Sequence, residues 1–157
     1  MKVIVQLAER LKSLKISGLL KVLASNKEFT DLIIELNTRK QLFDEGIDST
    51  GRLLSDIGGN YSPNTIEGTS QYKGKKAKGL PYDHITLFDT GQFYQSFEVF
   101  LRGTEFVISA NTLKDTTDLV SEWGANILGL TEKSLSILRE KAKDILIPYI
   151  RKKLLTR

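Results

Sequence analysis

The sequence predicts an α+β domain with N-terminal helices, a long loop or arm, a small antiparallel β-sheet built on a hairpin, and a C-terminal helix. Three observations predict it. Apolar residues recur three and four apart over 4–14, 29–43 and 135–149, the spacing that gives a helix one apolar face. Two alternating runs flank Gly103-Thr104, as in a half-buried antiparallel pair. Strands and helices do not alternate repeatedly, as a parallel nucleotide-binding sheet would require.

The first helix starts near residue 2, with Ile4, Leu7, Leu11 and Leu14 on one face. Ser17-Gly18 marks a bend or break before Leu19, Leu20, Val22 and Leu23 resume the pattern. Ser25 and Glu28 have capping-box spacing, so a second helix begins there. Phe29, Leu32, Ile33, Leu36 and Phe43 form its stripe, and Gly46 is its left-handed cap. Residues 48–84 then lose periodicity, with six glycines and two prolines. So long a stretch without regular structure reads as an extended arm that orders against a partner.

In FEVFLRGTEFVISA, Gly103 suits the first central position of a type II′ turn, which sets the register. It places Leu101 opposite Phe106, Val99 opposite Ile108 and Phe97 opposite Ala110, all apolar, with Arg102 opposite Glu105. Phe100 and Val107 pair on the second face, so that face also expects a cover. Asp115 to Trp123 reads as a short helix closed by Gly124. Thr131 caps the last helix, whose stripe of Leu135, Leu138, Ala142, Ile145 or Leu146 and Tyr149 contains Pro148. Proline inside a helix deletes a backbone bond and clashes with the preceding turn, so a kink or restart is expected at 144–148.

The chain has 157 residues and 40% apolar side chains, enough for one domain spanning 1–157 with its own core. Zero Cys and one His, His84, exclude thiolate chemistry and His-rich metal sites. No secretory leader or membrane span is expected, since charged residues interrupt every apolar run. Phosphate-loop and dinucleotide motifs are missing, and Asp44, Asp48 and Asp56 lack the spacing of a calcium loop. His84 beside Asp83 reads as a loop histidine, because neighbours on extended backbone point apart. No catalytic geometry can be assembled, so the expectation is a non-enzyme without cofactor or metal.

Charge is more informative in its placement than in its net value of +4, from 23 basic and 19 acidic residues. Lys73, Lys75, Lys76 and Lys78 oppose only Asp83 over 70–84, and residues 139–157, which include Arg151, Lys152 and Lys153, are also strongly basic. These are candidate contacts to a partner or to nucleic-acid phosphate. Tyr61, Tyr72 and Trp123 are candidate interface anchors, because aromatic side chains are enriched at binding hot spots; core packing is the plainer use of Trp123.

Taken as a block, Leu87-Phe-Asp89-Thr90-Gly91-Gln-Phe93-Tyr94-Gln-Ser96-Phe97, the hairpin to Ala110, Trp123-Gly124 and Ile127-Leu128-Gly129-Leu130-Thr131 resemble the virion-morphogenesis or tail-completion proteins at the head-to-tail junction of tailed phages. Those proteins carry a Thr-Gly turn into a helix, an apolar hairpin and a Gly-Leu-Ser/Thr step before a C-terminal helix. The resemblance covers roughly residues 80–157. It departs at Ser121-Glu-Trp-Gly124, where the family has His-x-x-Gly, and in the length of the loop before the hairpin. It implies a structural virion protein of the neck, connector or tail-completion ring: copies of itself in a ring, contacts to portal, connector or tail proteins, and room for nonspecific contact with packaged DNA. On this reading 48–84 is the arm that reaches neighbours, while Asp89, Thr90, Gly91, Gly103 and Gly129 are structural turn residues. The alternative is a small basic nucleic-acid-binding protein using 73–78 and 139–157.

Overall fold

A computed structural model describes residues 14–114 and 116–155. The helix expected from residue 2 falls on 1–13, outside the described residues. The pattern that resumes after it forms α1 (Ile16–Ala24), and Gly18 lies inside that helix without breaking it.

Helix α2 (Lys27–Glu35) starts one residue later than its capping-box spacing indicates. Asn26, not Ser25, is the cap, its Oδ1 accepting from Phe29 N at 3.0 Å. Glu28 reaches across to Lys141 Nζ at 2.8 Å instead of back to its own cap. The helix then widens into a π-helical segment, Leu36–Glu45, which ends at Gly46 in the expected left-handed conformation. Phe29, Ile33, Leu36 and Leu42 are buried along this face.

The π-helical segment also turns two amides inward. Asn37 Nδ2 donates to Ile127 O at 3.0 Å, and Asn37 Oδ1 accepts from Gly129 N at 3.1 Å. Gln41 Nε2 donates to Gly129 O at 2.9 Å, and Gln41 Oε1 accepts from Thr131 N at 2.8 Å. Four hydrogen bonds thereby hold the 127–131 connection, satisfying backbone groups that the 3-10 turn before it and the helix after it leave free.

Residues 48–84 do not form an extended arm. Leu54 is fully buried, and Asp48 closes a turn by accepting from Thr50 N and Arg52 N at 2.8 and 3.1 Å. Two short helices follow, α3 (Ser55–Gly58) and α4 (Pro63–Glu67), the second capped by Ser62. The chain then crosses itself: Gly68 bridges Lys73, and Lys75 N donates to Thr65 O at 3.0 Å. Leu54, Ile57, Tyr61 and Ile85 pack into the core despite their irregular spacing. Helices of four and five residues are too short to show a period, which is why the segment reads as unstructured.

After α5 (Gln92–Gln95), strands β1 (Glu98–Arg102) and β2 (Glu105–Ser109) pair antiparallel in the expected register, with Leu101 facing Phe106 and Val99 facing Ile108. The ladder ends at Glu98 and Ser109, one pair short of Phe97 and Ala110. Gly103 has φ +63°, the positive value its turn position needs. A two-residue pair, β3 (Leu113–Lys114) with β4 (Thr117–Asp118), precedes α6 (Leu119–Trp123). That helix is shorter than the 115–123 expected, because Asp118 caps it by accepting from Val120 N at 3.2 Å.

A 3-10 turn (Ala125–Ile127) leads to α7 (Glu132–Leu155), with Thr131 Oγ1 accepting from Ser134 N at 3.2 Å as its cap. No restart occurs at Pro148, which lies inside the continuous helix. Asp144 and Pro148 are both on the exposed side, so the carbonyl that proline leaves without a partner faces solvent and the helix tolerates it.

Two apolar clusters result. Leu42, Leu54, Ile85, Phe97, Leu119, Trp123 and Ile127 form one. Leu23, Phe29 and Ile33 form the other, joined by Val99, Phe106 and Ile108 from the hairpin and by Leu138, Ala142, Ile145 and Leu146 from α7.

Candidate functional site

The folded-back segment meets the body around Thr86, whose side chain is fully buried. Thr86 N donates to the Tyr61 hydroxyl at 2.9 Å, Phe88 N donates to Thr86 Oγ1 at 3.2 Å, and the Tyr94 hydroxyl donates to Thr86 O. Tyr94 is also enclosed edge-on by Phe43, Phe88, Phe93 and Phe97. Burial, with a smaller contribution from nearby Tyr61, pushes the Tyr94 phenol above its ordinary value. It is a fixed donor.

Lys75 enters the same region from the crossed loop and is only 7% exposed. Its Nζ donates to Phe88 O at 2.6 Å and stands 4.5 Å from the Tyr61 ring centroid. Beside it, Asp89 takes Lys78 Nζ at 3.0 Å and Lys114 Nζ at 3.4 Å. The hydrogen bond from Lys78 holds the Asp89 carboxyl below its ordinary value against a partial burial that works the other way, and Lys114 adds to the lowering. Between these groups lies a cavity of about 470 Å³, walled by Tyr61, Tyr72, Lys73, Lys75, Asp89 and Trp123.

The four loop lysines thus have different fates. Lys73 is exposed on the cavity rim, and Lys76 Nζ pairs with Glu67 at 3.1 Å. Lys78 is committed to Asp89, and Lys75 is buried. They are not a row of free cations. Trp123 is buried against Gly58, so it is a core side chain rather than an exposed anchor. Tyr61 is likewise turned inward by its bonds to Thr86. Of the three aromatic candidates only Tyr72 is half exposed. Arg151, Lys152 and Lys153 are exposed near the end of α7, with Lys153 Nζ 5.9 Å from the Tyr149 ring.

Thr90 Oγ1 accepts from Gln92 N at 3.4 Å, Gly91 stands before α5 with φ +85°, and Asp89 is an ion-pair hub rather than a cap. Gly129 is clamped by Asn37 and Gln41. His84 and Asp83 do meet, Nδ1 to Oδ1 at 2.9 Å, because the ring is also held by Phe43 O at 2.8 Å. Lys114 and Phe88 are the site residues that pattern reading passes over. The only signal for the crossed loop is the glycine pair: a Cβ on Gly74 would stand 2.3 Å from Gly68 N and from Ile66 O.

Compared with known proteins, the chain matches no family model, no curated protein and no solved structure. Among the described residues no helix is long and apolar enough to cross a membrane.

Proposed function

We propose that the protein is a noncatalytic structural subunit that assembles with copies of itself into a ring, at the head-to-tail junction of a tailed-phage particle beside portal, connector or tail proteins. The location rests on the order of the Thr-Gly turn, hairpin and Gly-Leu-Thr step along the chain. Assembly rests on one observation: Phe100, on the hairpin face turned away from the core, is 46% exposed. Val107 lies opposite it, and Arg102 with Glu105 borders the pair, which gives an apolar centre with a charged edge, the anatomy of a protein interface. A ring needs a second, different surface on each subunit. Exposed α7 side chains such as Ile137 or Ile147 are candidates for it. Residues 48–84 belong to the folded body too, so they would meet a neighbour as a packed surface and not as a free arm.

Light scattering on the purified chain and on Phe100→Asp tests this. The wild type is expected as a closed oligomer and the variant as a monomer with an unchanged melting temperature. A monodisperse wild-type monomer that never enters particles would end the proposal. The nucleic-acid reading now rests on the exposed Arg151, Lys152 and Lys153. DNA affinity falling with salt at a slope of about −0.9 per phosphate contact, and lost on changing these three to Ala, would favour it instead.

A further inference from the structure

Lys75 is a buried cation with no ion-pair partner among the described residues. Its ammonium has three protons, yet its bonded partner among the described residues is one neutral carbonyl, Phe88 O, supplemented by the Tyr61 ring. Buried lysines are normally neutralised by a carboxylate. Of the two acids that line the same cavity, Asp89 is already held by Lys78 and Lys114, and Glu122 is exposed. Lys73 stands exposed on the same cavity. The volume, about 470 Å³, falls within the range of small-ligand sites.

We propose that this cavity binds a monoanionic carboxylate carried on an aromatic body. Lys75 supplies the counter-charge and Lys73 a second cation at the rim. Tyr72, half exposed, supplies a flat wall for the ring, and Trp123 borders the cavity. Lys78 and Lys114 on the same wall are taken up by Asp89, and Glu122 lines the cavity as well, so the charge left to match at depth is that of Lys75, which one carboxylate meets. Assembly into a ring plays no part in this proposal. The carboxylate can come from a free acid or from a protein segment, either at a chain end or on an acidic side chain beside an aromatic one.

The test uses the full chain and its single tryptophan, Trp123, as reporter. Phenylacetate is expected to change Trp123 emission saturably with a Kd of about 1 mM. Phenylacetamide, of the same shape but uncharged, is expected to bind at least about tenfold more weakly, as is phenylacetate to Lys75→Met, which keeps the apolar stem. Tyr72→Ala leaves the fold intact and weakens binding several-fold, so the proposal stays testable if Lys75→Met fails to fold. N-acetylphenylalanine and N-acetyl-aspartyl-phenylalaninamide separate the sources: tighter binding of either assigns the site to a protein chain end or side chain, and tighter binding of phenylacetate to a free acid. Each of those results upholds a carboxylate site. Equal binding of acid and amide, undiminished binding to folded Lys75→Met, or no saturable change with phenylacetate would overturn it.

Discussion

Asn37 grips both sides of one turn, donating to Ile127 O at 3.0 Å and accepting from Gly129 N at 3.1 Å across 90 and 92 residues of sequence. Both bonds are buried or nearly so. Asn37→Ala leaves a carbonyl and an amide without partners, at a cost of about 2–4 kcal/mol. Asn37→Asp keeps the acceptor but sets a carboxylate against Ile127 O, so it destabilises too. Urea midpoints measure both, and a loss below about 1 kcal/mol for the alanine variant would show that the clamp is dispensable.

Gly58 is required by close approach. A Cβ there would stand 2.4 Å from Cη2 of the Trp123 ring. Gly58→Ala should cost about 1–3 kcal/mol and shift the Trp123 emission, since the ring or α3 must move. Gly18→Ala is the control: it lies within α1 with no atom of the described residues within 4 Å of the added Cβ and should stabilise by up to about 1 kcal/mol. Chemical denaturation of the pair should give opposite signs.

From sequence, Gly103→Val should harm folding more than Lys75→Ala, because a loop lysine does not shape a core. Burial of Lys75 revises that ranking. Lys75→Ala strips the packed stem and the bond to Phe88 O, about 1–3 kcal/mol. Gly103→Val places a β-branched residue at positive φ, about 1–2 kcal/mol. The two should fall within about 1 kcal/mol of each other, while Lys76→Ala, which loses an exposed pair, changes stability by less than about 1 kcal/mol. Melting curves of the three variants decide it.

What was legible in the sequence follows from how many signals agreed at one place. At the hairpin, alternation and turn chemistry independently gave the same register, and the structure has it. The α2 stripe was readable from Phe29 and Ile33, but its widening after Glu35 was not, because a π-helical turn leaves the same residue types in view. The burial of Lys75 was invisible for a different reason. It depends on the fold-back of residues 73–76 onto 65–68, a local contact that glycines permit but no period announces. Asn37 and Gln41 read as ordinary polar helix positions because their partners lie about 90 residues away.

The Asp89 hub gives a pH dependence whose sign is set. Lys78, aided by Lys114, holds the carboxyl below its ordinary value of 3.8 in the folded chain. A carboxylate with a lowered folded value adds stability that is present above the unfolded value and is lost as pH falls through the folded one. Asp89→Asn keeps the shape and removes the charge. Its penalty relative to wild type should therefore be constant above about pH 5 and shrink as pH drops below 3.8. Because the group is partly exposed, about 1 M salt should shrink the penalty at neutral pH as well. Thermal unfolding of both chains from about pH 2 to 7 checks it, and a penalty that stays level or grows towards acid would mean that the two lysines do not act through the charge of Asp89.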